Sequence, residues 1–145
     1  MNKKSWMSVL TAAAILVTIG SASLSAGPIY QMRANIPFGF MVGSEAFPAG
    51  SYTVARLDTV VNAYVLRSAD GGKNVVFVPI GVYSAKSRQE DSLVFNRYGD
   101  QYFLSQMWSI DDLVGSQLLP SNHEHEVSVT MNQEIREVVK IAATR

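Results

Sequence analysis

Two apolar runs, residues 93–98 and 101–108, are separated only by Gly99-Asp100. Glycine reaches positive φ without steric cost, so Gly then Asp between such runs reads as a two-residue hairpin turn. Side chains alternate faces along a strand, and the turn therefore fixes every pair that follows it. The register sets Arg97 opposite Tyr102, Phe95 opposite Leu104 and Leu93 opposite Gln106, with Trp108 on that same face. Val94, Asn96, Phe103, Ser105 and Met107 fall on the other face. Large apolar groups on both faces predict a hairpin covered on both sides, at the centre of a sheet. Phe95, Leu104 and Trp108 are the first core residues expected.

The remainder reads as short strands between turns. Residues 29–35 form a first strand limited by Pro37, and 38–42 a second, ended by Gly43-Ser44. Phe47-Pro48-Ala49-Gly50 is a turn, with Pro at its first corner and Gly supplying a positive φ. Strands follow at 51–57, 61–68 and 74–80, the last two joined by Ala69-Asp70-Gly71-Gly72-Lys73. In the tail, Ser121 three residues before Glu124 gives a capping-box pattern after Pro120. The spacing predicts a short helix over 121–131 and then a final strand around 138–141; one helix over 121–143 is the alternative. About seven to nine short strands with regular turns predict a mainly β chain, a single antiparallel barrel or sandwich with one short C-terminal helix.

Residues 1–26 specify an address. Lys3 and Lys4 form a positive head, an apolar run centred on residues 9–19 follows, and small residues occupy 20–26. That order is the layout of a secretory signal peptide. The run is about a dozen residues, short of the roughly 20 that a spanning helix needs, so cleavage is expected and no membrane span after it. Ser23 and Ser25 fit a cut after Ser25, and a cut after Ala26, with Leu24 at the outer position, fits less well; the mature start expected is Ala26 or Gly27. The expected organisation is a signal peptide over 1–26 and one β-rich domain over 27–145, periplasmic or secreted.

The chain has no cysteine. An exported domain can draw on disulfides, but this one must rely on a packed core. Without Lys3 and Lys4 it keeps 10 basic against 12 acidic residues and has no basic block, which argues against nucleic acid and anionic membrane surfaces as partners.

Candidate chemistry is sparse. His123-Glu124-His125-Glu126 holds both histidines and suggests zinc or copper, but residues two apart on a helix face opposite sides, and structural zinc asks for four ligands. No Gly-x-Ser-x-Gly elbow is present, and Glu90-Asp91 and Asp111-Asp112 are adjacent carboxylates that a strand would point apart. No catalytic residue, metal or cofactor is therefore expected. The aromatic strands could enclose an apolar ligand, and Tyr52, Tyr64, Phe95, Arg97, Tyr102 and Trp108 are the candidates to line such a site. Arg97 beside Tyr102 could form a polar spot in an apolar sheet, or an ordinary rim residue with its stem packed and its head in water.

Several motifs, taken in order, resemble a group of small exported proteins of soil bacteria, acidobacteria above all. They are Ala34-Asn35-Ile36-Pro37-Phe38, then the segment 47–54, then 67–71, then 95–105, then Leu119-Pro120. The resemblance implies export and a β-rich domain and transfers no catalytic residue. The expected function is non-enzymatic: binding, or a structural or interaction role in the cell envelope, with an apolar small molecule or an envelope protein as partner. The alternatives are a small-ligand barrel, an integral outer-membrane barrel, for which these strands look too short, and an enzyme whose site is assembled from scattered residues.

Overall fold

The computed structural model describes residues 31–131 and 136–145. The expected signal segment, residues 29 and 30 of the first expected strand, and residues 132–135 lie outside the described residues. In chain order the elements are β1 (Gln31–Ile36), β2 (Phe40–Val42), β3 (Glu45–Phe47), β4 (Gly50–Arg56), β5 (Tyr64–Ser68), β6 (Asn74–Phe77), β7 (Ile80–Tyr83), β8 (Ser92–Tyr98), β9 (Gln101–Trp108), β10 (Val114–Gln117), α1 (Asn122–Thr130) and β11 (Arg136–Ala142). The chain is mainly β, with two sheets and one short C-terminal helix.

One sheet has the order β1-β4-β5-β6 and the other β11-β8-β9-β10-β7, with antiparallel neighbours throughout. The β2–β3 hairpin joins the second sheet through a parallel pairing of Met41 with Phe103. The inner faces supply one core: Met32, Val54 and Leu66 from the first sheet, and Leu93, Phe95 and Leu104 from the second. Side chains sealed between two such faces contribute roughly 1.5–3 kcal/mol each. The sheets are not closed into a barrel, and a sandwich fits them. They touch along one side, where Arg33 and Thr144 exchange backbone hydrogen bonds of 2.6 and 2.8 Å. On the path of each sheet, β6 and β7 are end strands.

The central hairpin forms as expected around Gly99, whose φ is 60°. Arg97 pairs with Tyr102 and Phe95 with Leu104. Beyond that the expected register fails. A β-bulge shifts it between Val94 and Phe95, so that Leu93 pairs with Met107 and Ser92 with Trp108. Ser105 is the extra residue, and an extra residue reverses which side chains face inward after it. Met107 joins the inter-sheet core, while Trp108, equally buried, lies on the opposite face of the sheet.

The strand expected over 74–80 is cut into β6 and β7, which lie in different sheets. Pro79 separates them: it has no N–H for a ladder and its φ is fixed. β3 and β10 were not foreseen, because Glu45-Ala46-Phe47 and Val114-Gly115-Ser116-Gln117 are short and carry few β-formers. The tail follows the helix-then-strand reading. Ser121 caps α1, its Oγ accepting the Glu124 N–H at 3.1 Å. Val127 of α1 packs on Tyr98 and Phe103, so the helix covers the outer face of the hairpin.

Candidate functional site

The interior is an aromatic cluster built where the hairpin meets β2, β3 and β4. Phe95 is fully buried, edge-on to Phe38 at 5.2 Å and to Phe40 at 5.4 Å between ring centroids. Tyr52 is also buried, edge-on to Phe40 at 5.0 Å and to Phe47 at 5.9 Å. Edge-to-face contacts match the electropositive rim of one ring to the face of the next, adding about 0.5–1.5 kcal/mol each beyond area burial. The Tyr52 hydroxyl donates to the Pro48 carbonyl at 2.5 Å, which ties the cluster to the turn before β4. Burial, and then the negative charge of Asp70, push that phenol above its ordinary pKa.

Tyr102 and Arg97 sit at the rim. Tyr102, half-buried, stacks on Phe38 with ring centroids 3.9 Å apart. The Arg97 guanidinium lies 5.4 Å from the Tyr102 ring centre, donates to the Gly99 carbonyl at 2.8 Å, and reaches Glu137 at 3.0 Å. The expected rim reading of Arg97 therefore describes its place, with the stem over a ring and the head paired near solvent. Tyr64 is away from this group and stacks on Phe77 at 6.1 Å. Trp108 is on the other face of its sheet, with the Arg88 guanidinium 4.2 Å above its ring and its Nε1–H donated to Gln106 at 2.9 Å. The structure thus brings together Tyr52, Phe95, Tyr102 and Arg97, and places Tyr64 and Trp108 elsewhere.

His123 and His125 are exposed on α1. His123 is 3.2 Å from the Gln101 side-chain oxygen. Among the described residues no group of three His, Cys, Asp or Glu side chains is placed to hold a metal ion. Glu124 between them faces inward. It is buried, and its carboxylate accepts from Asn96 Nδ2 at 2.8 Å, which anchors the helix to the sheet.

The loop after β5 has its own electrostatics. Asp70 Oδ1 accepts the Ser68 hydroxyl at 2.5 Å and the Gly72 N–H at 2.9 Å, and these donors, the hydroxyl foremost, hold its carboxyl below the ordinary range. A depressed carboxyl favours the fold above its unfolded-state pKa and loses that contribution as pH falls through the folded one. Ser68→Ala is expected to raise the Asp70 midpoint, followed by carboxyl carbon NMR during an acid titration. An unmoved midpoint would assign the depression to the Gly72 N–H.

A feature missed at the level of motifs lies along the open side of the sandwich. Residues 74–85 contain no charged side chain. They supply one end strand of each sheet, β6 and β7, and expose Val76, Val78, Ile80 and Tyr83, the last at 82%. Val114 of β10 is half-exposed beside them. Natural sheet edges are ordinarily defended by charge, bulges or proline, and here Pro79 between the strands is the only such device. The twelve-residue gap between Lys73 and Lys86 was visible in the sequence, but which strands stand at the ends of the sheets was not.

No protein-family model, curated protein or solved structure matches this chain. Among the described residues no helix is long and apolar enough to cross a membrane.

Proposed function

We propose that this chain is an exported β-domain protein of the cell envelope, periplasmic or secreted, that works by binding or assembly and not by catalysis. One observation carries the reading: an uncharged extended segment, 74–85, supplies two open sheet edges with exposed apolar side chains. Unpaired edge backbone is a ready template for another strand. The aromatic candidates Tyr52 and Phe95, by contrast, are engaged in packing one another and their neighbours. The signal-like order of residues 1–26 and the resemblance to exported proteins support the location.

A second reading is a small apolar ligand held between the two sheets. A cleft of about 190 Å³ is available to it, where Tyr64, Met107 and Val114 stand beside the polar side chains of Arg56, Ser109, Asp112 and Ser116, so the ligand would need polar groups as well as an apolar body. That volume lies below the roughly 300–1,000 Å³ of drug-sized sites, so only a small ligand suits it.

Native mass spectrometry of protein purified from the periplasm without refolding tests both. Additional protein mass is the expected result. A small molecule of defined mass would transfer the assignment to the cleft, and a bare monomer that engages neither would remove the proposal.

A further inference from the structure

We infer that the β7 edge pairs with the β7 edge of a second copy, antiparallel about a two-fold axis through Val82, so that the β7-bearing sheets of two molecules become one. This rests on the interaction reading above and names its partner.

The backbone selects the register. The Ser84 N–H bonds the Leu113 carbonyl at 2.8 Å, and Tyr83 pairs with Val114 and Val82 with Gly115. Hydrogen-bonding residues alternate along an antiparallel strand, so Ser84, Val82 and Ile80 point their backbone groups toward β10, and Gly81 and Tyr83 point theirs outward. Pro79 has no N–H and ends the usable edge on one side. A two-fold axis through Val82 sets Gly81 of one copy opposite Tyr83 of the other, and every outward N–H and C=O of both residues gains a partner. An axis through Gly81 would set Tyr83 against Pro79 and waste its bonds. An axis through Tyr83 would set Gly81 opposite Ala85, beyond the strand.

The side chains agree with that register. Gly81 has open space on its side of the strand, where a Cβ would meet only Val114, at 3.9 Å. The ring of Tyr83, 82% exposed, would lie over Gly81 of the other copy, the cross-strand cover that an edge glycine lacks. Charge points to the same occupant. An uncharged edge best accepts an uncharged strand, and residues 74–85 are one. Lys86 would come opposite Val78, eight residues from its own counterpart along the ladder. At about 3.4 Å per residue that is roughly 27 Å, well beyond the screening length of about 8 Å at physiological salt. An interface of this kind uses one patch twice, as two-fold dimers do.

The chain has no cysteine, so a single one reports cleanly. Directly opposed residues of a non-hydrogen-bonded pair have Cα atoms about 4.5 Å apart, within disulfide range. Diamide oxidation of the purified Val82→Cys variant is expected to give a cross-linked dimer, and Val61→Cys, on an exposed loop, none at the same concentration. In sedimentation equilibrium the unmodified protein is expected to be dimeric, and Tyr83→Lys to weaken the dimer at least tenfold. A dimer that ignores Tyr83→Lys and leaves the thiol of the Val82→Cys variant reduced would overturn the inference. So would capture of an envelope protein by that thiol in place of a homodimer, although the interaction reading would then stand. Monomeric protein with no cross-link of either kind would overturn both.

Discussion

Phe95→Ala is expected to lower the unfolding free energy by about 3–5 kcal/mol. Phe95 is fully buried between the sheets and is the ring that both Phe38 and Phe40 meet edge-on. Its loss removes the transfer energy of the side chain and leaves a void that rigid strands on both sides cannot close. Domains of this size are ordinarily stable by only about 5–15 kcal/mol, so the variant should sit near the edge of folding at 37 °C. Urea unfolding followed by fluorescence would show the midpoint falling with the slope retained, the signature of a less stable but equally cooperative fold. The measurement also separates the two uses of an aromatic interior. A loss below about 1 kcal/mol, together with the loss of a bound small molecule, would show that Phe95 lines a ligand space that was already partly empty. Tyr102→Ala provides the internal comparison: Tyr102 is half-buried at the rim, so its removal should cost less than that of Phe95.

Local chemistry made much of this fold legible. The glycine of the Gly99-Asp100 turn, the Ser121 cap and the alternation near the hairpin each act over a few residues, and each is found where the residues imply it. What escaped was decided by neighbours. The bulge at Ser105 has no residue signature, because serine fits a regular strand position as well as a bulge, and it alone moves Trp108 out of the predicted core face. β3 and β10 are strands because a partner strand lies beside them. Pro79 was readable as a break, but that the chain changes sheets there depends on where β10 lies. The same applies to the candidate site. Tyr52 and Phe95 could be picked as buried aromatics, whereas the exposed edge of β7 is defined by what is not paired with it, which no run of residues states. Glu124 shows the reverse case: a residue type that normally marks a solvated helix start is drawn inward because Asn96 stands across from it on the sheet.

Gly115→Ala is the second large effect expected, and it follows from the displaced Trp108. A Cβ at position 115 would fall 2.7 Å from two ring carbons of Trp108 and 2.9 Å from the Met107 carbonyl oxygen. The tryptophan ring of β9 therefore occupies the space beside Gly115 that a side chain on β10 would need. The ring cannot lift freely, since the Arg88 guanidinium lies 4.2 Å from its centre and Gln106 accepts its Nε1–H. Overpacking of a well-filled site costs about 1–3 kcal/mol, and the backbone oxygen, which cannot rotate away, places this case at the upper end. Part of the cost belongs to the ring and part to the backbone, and a double-mutant cycle separates them. Trp108→Leu alone should destabilise by removing a buried aromatic, yet Gly115→Ala should cost less in that background than in the parent, a favourable coupling of about 1 kcal/mol or more. Additive effects would show that the strain sits on the Met107 carbonyl, and that Trp108 is held by its own strand and not by the glycine beneath it.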